Sequence, residues 1–180
     1  MSLTAMRALR GALAGTVAAA VWAAQQPLDR RVFGVPYDDT ELLGRWVVQG
    51  SGWRPVGIGL HLANGAVLGA VYAGVARSLP VGAHLRGPVV GLAEHLATWP
   101  GTAALDRVHP AARDLPSLWG SGRAFAQATW RHLLFGTVLG ELERRLNADA
   151  EPPAVVDDEL AASNGHGSAE HLVSSGPAVA

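Results

Sequence analysis

A nine-residue stretch occurs twice in the chain, as HLANGAVLG at His61–Gly69 and as HLLFGTVLG at His132–Gly140. Six of the nine positions are identical, and the second copy begins 71 residues after the first. Residues four apart share one face of a helix, so each copy places its His and its two Gly in a single stripe. Glycines at this spacing let helix backbones approach closely, as they do in membranes. The repeat therefore predicts two equivalent helices, each with a close packing face.

The composition fits one helical domain that is rich in apolar residues. The chain has 180 residues, of which 49% are hydrophobic and 16% charged, and its formal net charge is -1. This charge gives no indication of nucleic-acid binding. The chain has no Lys and no Cys. The absence of Cys excludes disulfides, thiolate metal sites and cysteine nucleophiles.

Four segments carry roughly twenty residues with few charges, which is about the length of a helix that crosses a bilayer. They predict an all-α fold, a four-helix transmembrane bundle over 1–147, followed by a disordered polar tail over 148–180. The third segment is the weakest, because Glu94, His95 and Pro100 interrupt it. We expect the spans at about 8–26, 56–79, 87–104 and 122–146.

Two parts of the first half have more than one interpretation. Arg7 and Arg10 precede an Ala-rich run that ends at Pro27, and a cleaved signal peptide has the same pattern as a first span. Further on, the acidic stretch 38–41 precedes an apolar run, which is typical of a helix N-terminus. It predicts a short helix near 40–49 on the membrane surface, with an ordered loop as the alternative.

The first and third segments also share a pattern, so the repeated unit is predicted to be a helical hairpin. In this alignment Glu94 and His95 correspond to Ala18 and Ala19, so only the second hairpin carries them. A repeated first segment also argues against its removal as a signal peptide. The glycines that this pattern places at helix contacts are Gly11, Gly15, Gly65, Gly69, Gly87, Gly91, Gly136 and Gly140.

The tryptophans and arginines predict an orientation. Two hairpins in series place both termini on one side, and all six Trp then fall towards the other side, as expected for an interfacial belt. The short link at 80–86 carries Arg86, which favours its side as cytoplasmic. We expect a multi-pass protein of the bacterial inner membrane with cytoplasmic termini. A soluble helical bundle is the architectural alternative.

Five polar side chains within the spans form a candidate intramembrane site: His61, Asn64, Glu94, His95 and His132. Such residues are costly in a bilayer unless they are paired or hydrated. They support three hypotheses. In a scaffold that contacts lipid, a second copy or a membrane-protein partner, they hold helices together. In a small transporter or proton-linked carrier, they line a polar path. In a haem or metal protein, His61 and His132 are ligands.

An enzyme is the least supported class. The chain has no Gly-x-Ser-x-Gly elbow, phosphate-binding loop or His-Glu-x-x-His motif.

Three stretches, Gly11–Arg31, His61–Tyr72 and Arg131–Arg145, resemble bacterial inner-membrane proteins of the YagU type. The likeness covers most of residues 5–146, and the Lys-free, Arg- and Ala-rich composition is similar to that of actinobacterial proteins. The resemblance implies a multi-span inner-membrane fold. It implies no activity, so no functional residue is assigned through it.

Overall fold

The computed structural model describes residues 2–148, and all regular structure in them is helical. This part of the chain has no strand, which confirms the prediction of an all-α protein. The tail predicted to be disordered, 148–180, lies outside the described residues apart from its first position. The helices are α1 (Leu3–Phe33), α2 (Asp39–Val47), α3 (Trp53–Val75), α4 (Ala83–Thr98), α5 (Thr102–Val108) and α6 (Gly122–Leu146), with 3₁₀ turns at Ala76–Ser78 and Trp99–Gly101.

The first helix is longer than the sequence predicted. We expected the segment 8–26 to stop at Pro27, but α1 continues to Phe33 with the proline inside it. A proline removes one intrahelical hydrogen bond without forbidding the following turns, and the buried Asp29 holds those turns against the rest of the protein. The helix ends at Gly34, whose φ of 67° lies in the left-handed region that favours glycine.

A helix is present where the acidic stretch predicted one near 40–49, so the loop alternative is wrong. The Asp38 side chain accepts hydrogen bonds from the backbone N–H groups of Thr40 and Glu41, and it is therefore the N-cap of α2. The helix packs against the start of α3. It is thereby held beside the interior of the bundle.

The third predicted segment, 87–104, is not one helix. α4 ends at Thr98, a 3₁₀ turn takes in Pro100, and α5 follows. Proline has no N–H to donate to the preceding turn, which explains the break at this point. Glu94 is consequently one turn from the end of α4.

The four long helices pack in the order α3, α1, α6, α4. α1 contacts both α3 and α6, and α6 contacts α4, whereas α3 and α4 scarcely contact each other. Small side chains make the central contacts close, because Ala14 and Ala18 of α1 are fully buried beside Phe135 of α6. The bundle is therefore open between α3 and α4.

Glycines form the closest contacts between α1 and α3. A Cβ atom added to Gly15 would overlap the carbonyl oxygen of Gly65 and lie 2.9 Å from the Cα atom of Gly69. One turn earlier, a Cβ atom added to Gly11 would likewise meet the carbonyl group of Gly69. A side chain at any of these positions would force the helices apart.

The contact between α4 and α6 has the same form. A Cβ atom added to Gly87 would overlap the carbonyl oxygen of Gly136 and lie 2.8 Å from the Cα atom of Gly140. One turn later, a Cβ atom added to Gly91 would lie 3.3 Å from the Cα atom of Gly136. Both helix pairs thus pack through glycine at equivalent places.

The α1–α3 pair and the α4–α6 pair are equivalent in the structure, but the matching positions of α1 and α4 are shifted by one turn from the sequence alignment. Gly87 takes the place of Gly15, since both meet their partner helix in the same way. When the two helix pairs are superimposed in this register, Glu94 is equivalent to Trp22. In the sequence alignment Glu94 is equivalent to Ala18. The large indole of the first hairpin therefore corresponds to the carboxylate of the second.

Among the helices within residues 2–148, Trp53–Ser78 alone is long and apolar enough to cross a membrane by length and composition. It corresponds to the second predicted span, 56–79. The other three predicted spans do not meet the same criterion. The fourth, 122–146, nevertheless coincides with α6.

Candidate functional site

A cleft between α3 and α4 contains the polar side chains that the sequence singled out. Its volume is about 370 Å³; α1 and α6 form its back, and α2 and α5 contribute to its lining. His61 and Asn64 belong to the α3 wall, Glu94 and His95 belong to the α4 wall, and His132 lies on α6. All five predicted residues therefore line one cavity.

His132 makes two short polar contacts in this cleft. Its Nε2 atom lies 2.7 Å from Oε2 of Glu94, and its Nδ1 atom lies 2.7 Å from the carbonyl oxygen of Ala128. A carbonyl oxygen only accepts, so Nδ1 carries a hydrogen. The contact with Glu94 needs one more proton, on Nε2 or on the carboxyl group. The pair is thus an ion pair or a neutral acid–imidazole pair, and it shares one proton in either form.

The other two histidines are bonded across helix contacts. His61 Nε2 donates to the carbonyl oxygen of Ala19 at 3.2 Å, which ties α3 to α1. His95 Nε2 lies 3.0 Å from the hydroxyl oxygen of Thr129, and that hydroxyl group donates to the carbonyl oxygen of Phe125. Nε2 of His95 is therefore the donor. Each ring needs only one proton for the bonds that it makes.

Trp22 separates His61 from His132. Its indole ring meets the two imidazoles edge-on, with centroid distances of 5.4 Å and 4.8 Å. Its Nε1 atom donates to Oδ2 of Asp39 at 2.8 Å, and 7% of its surface is exposed. Trp22 is thus an inner wall of the cleft. The prediction that all six tryptophans form an interfacial belt is wrong for this one.

A buried ionic cluster lies behind the cleft. Arg131, which is fully buried, donates through Nε and Nη2 to the two carboxylate oxygens of Asp29, both at 2.6 Å. Its Nη1 atom donates to Oδ2 of Asp39, also at 2.6 Å. The guanidinium group further contacts the carbonyl oxygen and the ring of Tyr37. Such a bidentate geometry compensates a buried charge well.

Each carboxylate of this cluster accepts hydrogen bonds from three side chains. Asp29 accepts from Gln25 and Gln127 at 2.7 Å and 2.8 Å, besides Arg131. Asp39 accepts from Trp22, Arg131 and the hydroxyl group of Tyr37. Two carboxylates therefore share one guanidinium group, which leaves one net negative charge.

Tyr37 connects the cluster to the cleft, since its side chain lines the cavity. Burial raises the pKa of the Tyr37 phenol well above its usual range, and the neighbouring Asp39 carboxylate adds to the effect. The phenol therefore remains protonated and continues to donate to Asp39.

The sequence contains a signal for this cluster. Arg131 lies inside an apolar segment, where a charged side chain requires a partner of opposite charge. Which carboxylate pairs with it depends on the tertiary structure, because Asp29 is 102 residues away. The neighbouring His132 was predicted to be a site residue, whereas Arg131, Asp29 and Asp39 were not.

The geometry gives no support to haem or metal binding through His61 and His132. Their Nε2 atoms are engaged by Ala19 and Glu94, and Trp22 lies between the rings. Within residues 2–148, no group of three or more His, Asp or Glu side chains has the arrangement of a metal site.

Comparison of the chain with models of known protein families, with curated proteins and with solved structures found no match. The resemblance to YagU-type proteins therefore stays a prediction, and the site is interpreted from its own geometry.

Proposed function

We propose that this chain is a multi-pass membrane protein that binds a small solute in the cleft between α3 and α4. The observation that carries the proposal is the convergence of His61, Asn64, Glu94, His95 and His132 on one cavity of about 370 Å³. Ligand pockets typically have this size and combine apolar walls with a few polar groups. We place the protein in the bacterial inner membrane, with cytoplasmic termini.

The distribution of side chains supports a lipid environment. Polar groups such as Gln127 and Arg131 are fully buried, and they are bonded to other interior groups. Large apolar side chains are instead exposed in stripes, as valines along α3 show. This is the pattern expected where lipid covers the outer faces and polar residues pair inside. The clearest stripe runs along α1, at Leu9, Leu13, Val17 and Val21.

The third proposed span is an interrupted helix. α4 has 16 residues, or about 24 Å at 1.5 Å per residue, which is shorter than a hydrocarbon layer of ~30 Å. The 3₁₀ turn and α5 continue the segment as far as Val108. Irregular backbone is tolerated at membrane depth where it lines a cavity, and Trp99, Gly101 and Thr102 line the cleft.

A purely structural role accounts for only part of the site. The bonds from His61 to Ala19 and from His95 to Thr129 hold helices together, as a scaffold requires. A scaffold gives no reason for an open cleft, or for an acid–imidazole pair in its wall with 32% of the Glu94 side chain exposed. These two features favour a solute-binding protein or carrier.

Single cysteines in isolated membranes test the proposal, because the chain has no Cys of its own. Asn64→Cys places a thiol in the cleft, and the adjacent Ala63→Cys places one on an exposed part of α3 that does not line it. Thiols react as thiolates, which requires contact with water. We expect a charged, water-soluble thiol reagent to label the cysteine at position 64 and to leave the one at position 63 unlabelled.

The alternatives predict other results. In a soluble bundle both cysteines are labelled, and carbonate washing releases the protein from membranes. In a scaffold with a dry interior, neither cysteine is labelled. Either result would overturn the proposed function.

A further inference from the structure

The interior of the protein carries a negative charge that the cleft does not balance. Asp29 and Asp39 face the single guanidinium group of Arg131. The nearby Arg30 is paired with Asp38 at 3.2 Å, and none of the residues that line the cleft is an arginine. One negative charge therefore remains beside the cavity.

The titratable groups around the cleft do not supply the missing positive charge. The Glu94–His132 pair is neutral overall, wherever its shared proton lies. His61, from α3, and His95, from α4, need one proton each for their hydrogen bonds and are then neutral rings. With Asp39 from α2, these are the ionisable groups that face the cavity besides the Tyr37 phenol, which stays protonated.

An unbalanced charge in a region of low dielectric constant is costly, so the cleft attracts one monovalent cation. A second proton on the Glu94–His132 pair is one such cation, and it produces an imidazolium ion beside a neutral carboxyl group. A cationic ligand beside the ionised Glu94 is the other. Both neutralise the same site, so they compete.

The walls of the cleft favour an organic cation over a hydrated metal ion. The rings of Trp22, Tyr37, Trp99 and Phe135 line the cavity, and aromatic faces attract ammonium groups. A metal ion would need several converging oxygen or nitrogen ligands, which the described residues do not provide. Glu94 is accessible from the cavity, and its carboxylate is not bound by an arginine.

We infer, given the proposed solute-binding function, that the cleft binds a small organic ammonium ion beside Glu94 and that each bound cation displaces one proton. The exchange is balanced. The ammonium ion enters, the Glu94 carboxyl group releases its proton to water, and the net charge of the site is unchanged. No covalent bond between heavy atoms forms or breaks.

The test compares a cation with an uncharged molecule of the same shape. The purified full-length protein is titrated with choline and with 3,3-dimethylbutanol, in which carbon replaces the quaternary nitrogen. We expect choline to bind at least about tenfold more tightly, because only choline neutralises the site. Its affinity should weaken at acidic pH, by up to about tenfold per pH unit for exchange with one proton. Calorimetry in buffers of different ionisation enthalpy should show proton release.

A matched pair of variants assigns the effect to Glu94. Glu94→Gln keeps the shape of the side chain and removes the carboxylate that takes up the competing proton, so the pH dependence of choline binding and the proton release on binding should both change. Glu141→Gln removes a carboxylate that pairs with Arg144 and Arg145 outside the cleft, so both properties should remain. Thermal unfolding of each variant checks that it is folded.

Three results would overturn the inference: equal binding of the two probes, binding of choline that does not depend on pH, or the same pH dependence in Glu94→Gln as in the natural protein. The first two come from the natural protein and do not depend on any variant being stable. If they occur while Asn64→Cys is labelled as expected, the solute-binding proposal stands and only the cation inference fails.

Discussion

The Nε2 atom of His132 lies 2.7 Å from Oε2 of Glu94, while the Nδ1 atom of the same ring contacts the carbonyl oxygen of Ala128. The second contact fixes a hydrogen on Nδ1. The position of the proton shared with Glu94 therefore decides whether the site contains an ion pair or two neutral groups. The site is an ion pair when the proton is on His132, and both groups are neutral when it is on Glu94. The competition between a proton and a cation depends on this relationship.

Two substitutions of Glu94 should distinguish the contribution of its hydrogen bond to stability from the contribution of its charge. In Glu94→Gln the amide can donate to a neutral His132, whereas Glu94→Ala leaves Nε2 without this partner. We expect Glu94→Ala to lower the free energy of unfolding by about 1 kcal/mol and Glu94→Gln to lower it less. Nitrogen NMR of the ring in Glu94→Gln should show hydrogen on Nδ1 alone at neutral pH. A doubly protonated ring there would contradict the assignment.

Removal of Arg131 should be among the most destabilising single changes. Arg131→Met leaves Asp29 and Asp39 buried without their cation, and breaking a buried pair in this way costs roughly 3–5 kcal/mol. Arg131→Lys should be intermediate, because an ammonium group cannot form the bidentate contact. Arg31→Ala removes the same charge from an exposed position of α1 and serves as the control. Equal stability of Arg131→Met and the control in denaturant unfolding would refute the importance of the cluster.

The glycine contacts predict paired effects in the two hairpins. Gly15→Ala and Gly87→Ala each place a Cβ atom on a carbonyl oxygen, so both should destabilise the fold by roughly 1–3 kcal/mol. Gly59→Ala and Gly74→Ala lie in α3 with no atom within 4 Å of the added Cβ. These controls should be neutral or stabilising by up to about 1 kcal/mol, since alanine favours helix. Similar melting temperatures for all four variants would show that close approach of the helices does not matter.

The raised pKa of Tyr37 predicts a loss of stability at alkaline pH. Below about pH 10 the phenol is protonated in both the folded and the unfolded chain, so its contribution is constant. Above that pH the unfolded chain loses its proton first, and the free energy of unfolding falls as the pH rises. Tyr37→Phe cannot lose a proton, so its curve between pH 9 and pH 12 should fall less steeply than that of the natural protein. Parallel curves for the two proteins would be inconsistent with the raised pKa.

Asp106 should order the connection between α5 and α6. Its carboxylate accepts from the backbone N–H groups of Leu118 and Trp119, at 2.9 Å and 2.8 Å, and from the hydroxyl group of Ser117. Asp106→Ala should therefore speed hydrogen exchange at the two amides, because they lose a charge-assisted bond. Asp114→Ala, with a side chain that is 69% exposed, should leave their exchange unchanged. Unaltered exchange in Asp106→Ala would exclude this role.

Several features of the molecule follow from the sequence because they depend on local periodicity. The stripe spacing that marks His132, Gly136 and Gly140 predicted α6, whose bounds coincide with the expected segment 122–146. Likewise, the acidic stretch at Asp38 predicted the start of α2. The presence of polar side chains within apolar segments also identified the five residues that line the cleft. Each of these signals is contained within a few turns of one helix.

Other features were decided only when distant segments met. The continuation of α1 beyond Pro27 depends on Asp29, which is buried by its contact with Arg131 at the other end of the chain. The one-turn shift between the hairpins depends on which glycine carbonyl groups Gly15 and Gly87 meet. The charge of the cleft depends on two carboxylates sharing one guanidinium group. The sequence by itself determined that the chain is helical, the bounds of α6 and the glycine packing faces, since these follow from side-chain spacing. Only the tertiary structure decided the ionic cluster and the register, because long-range contacts fix them.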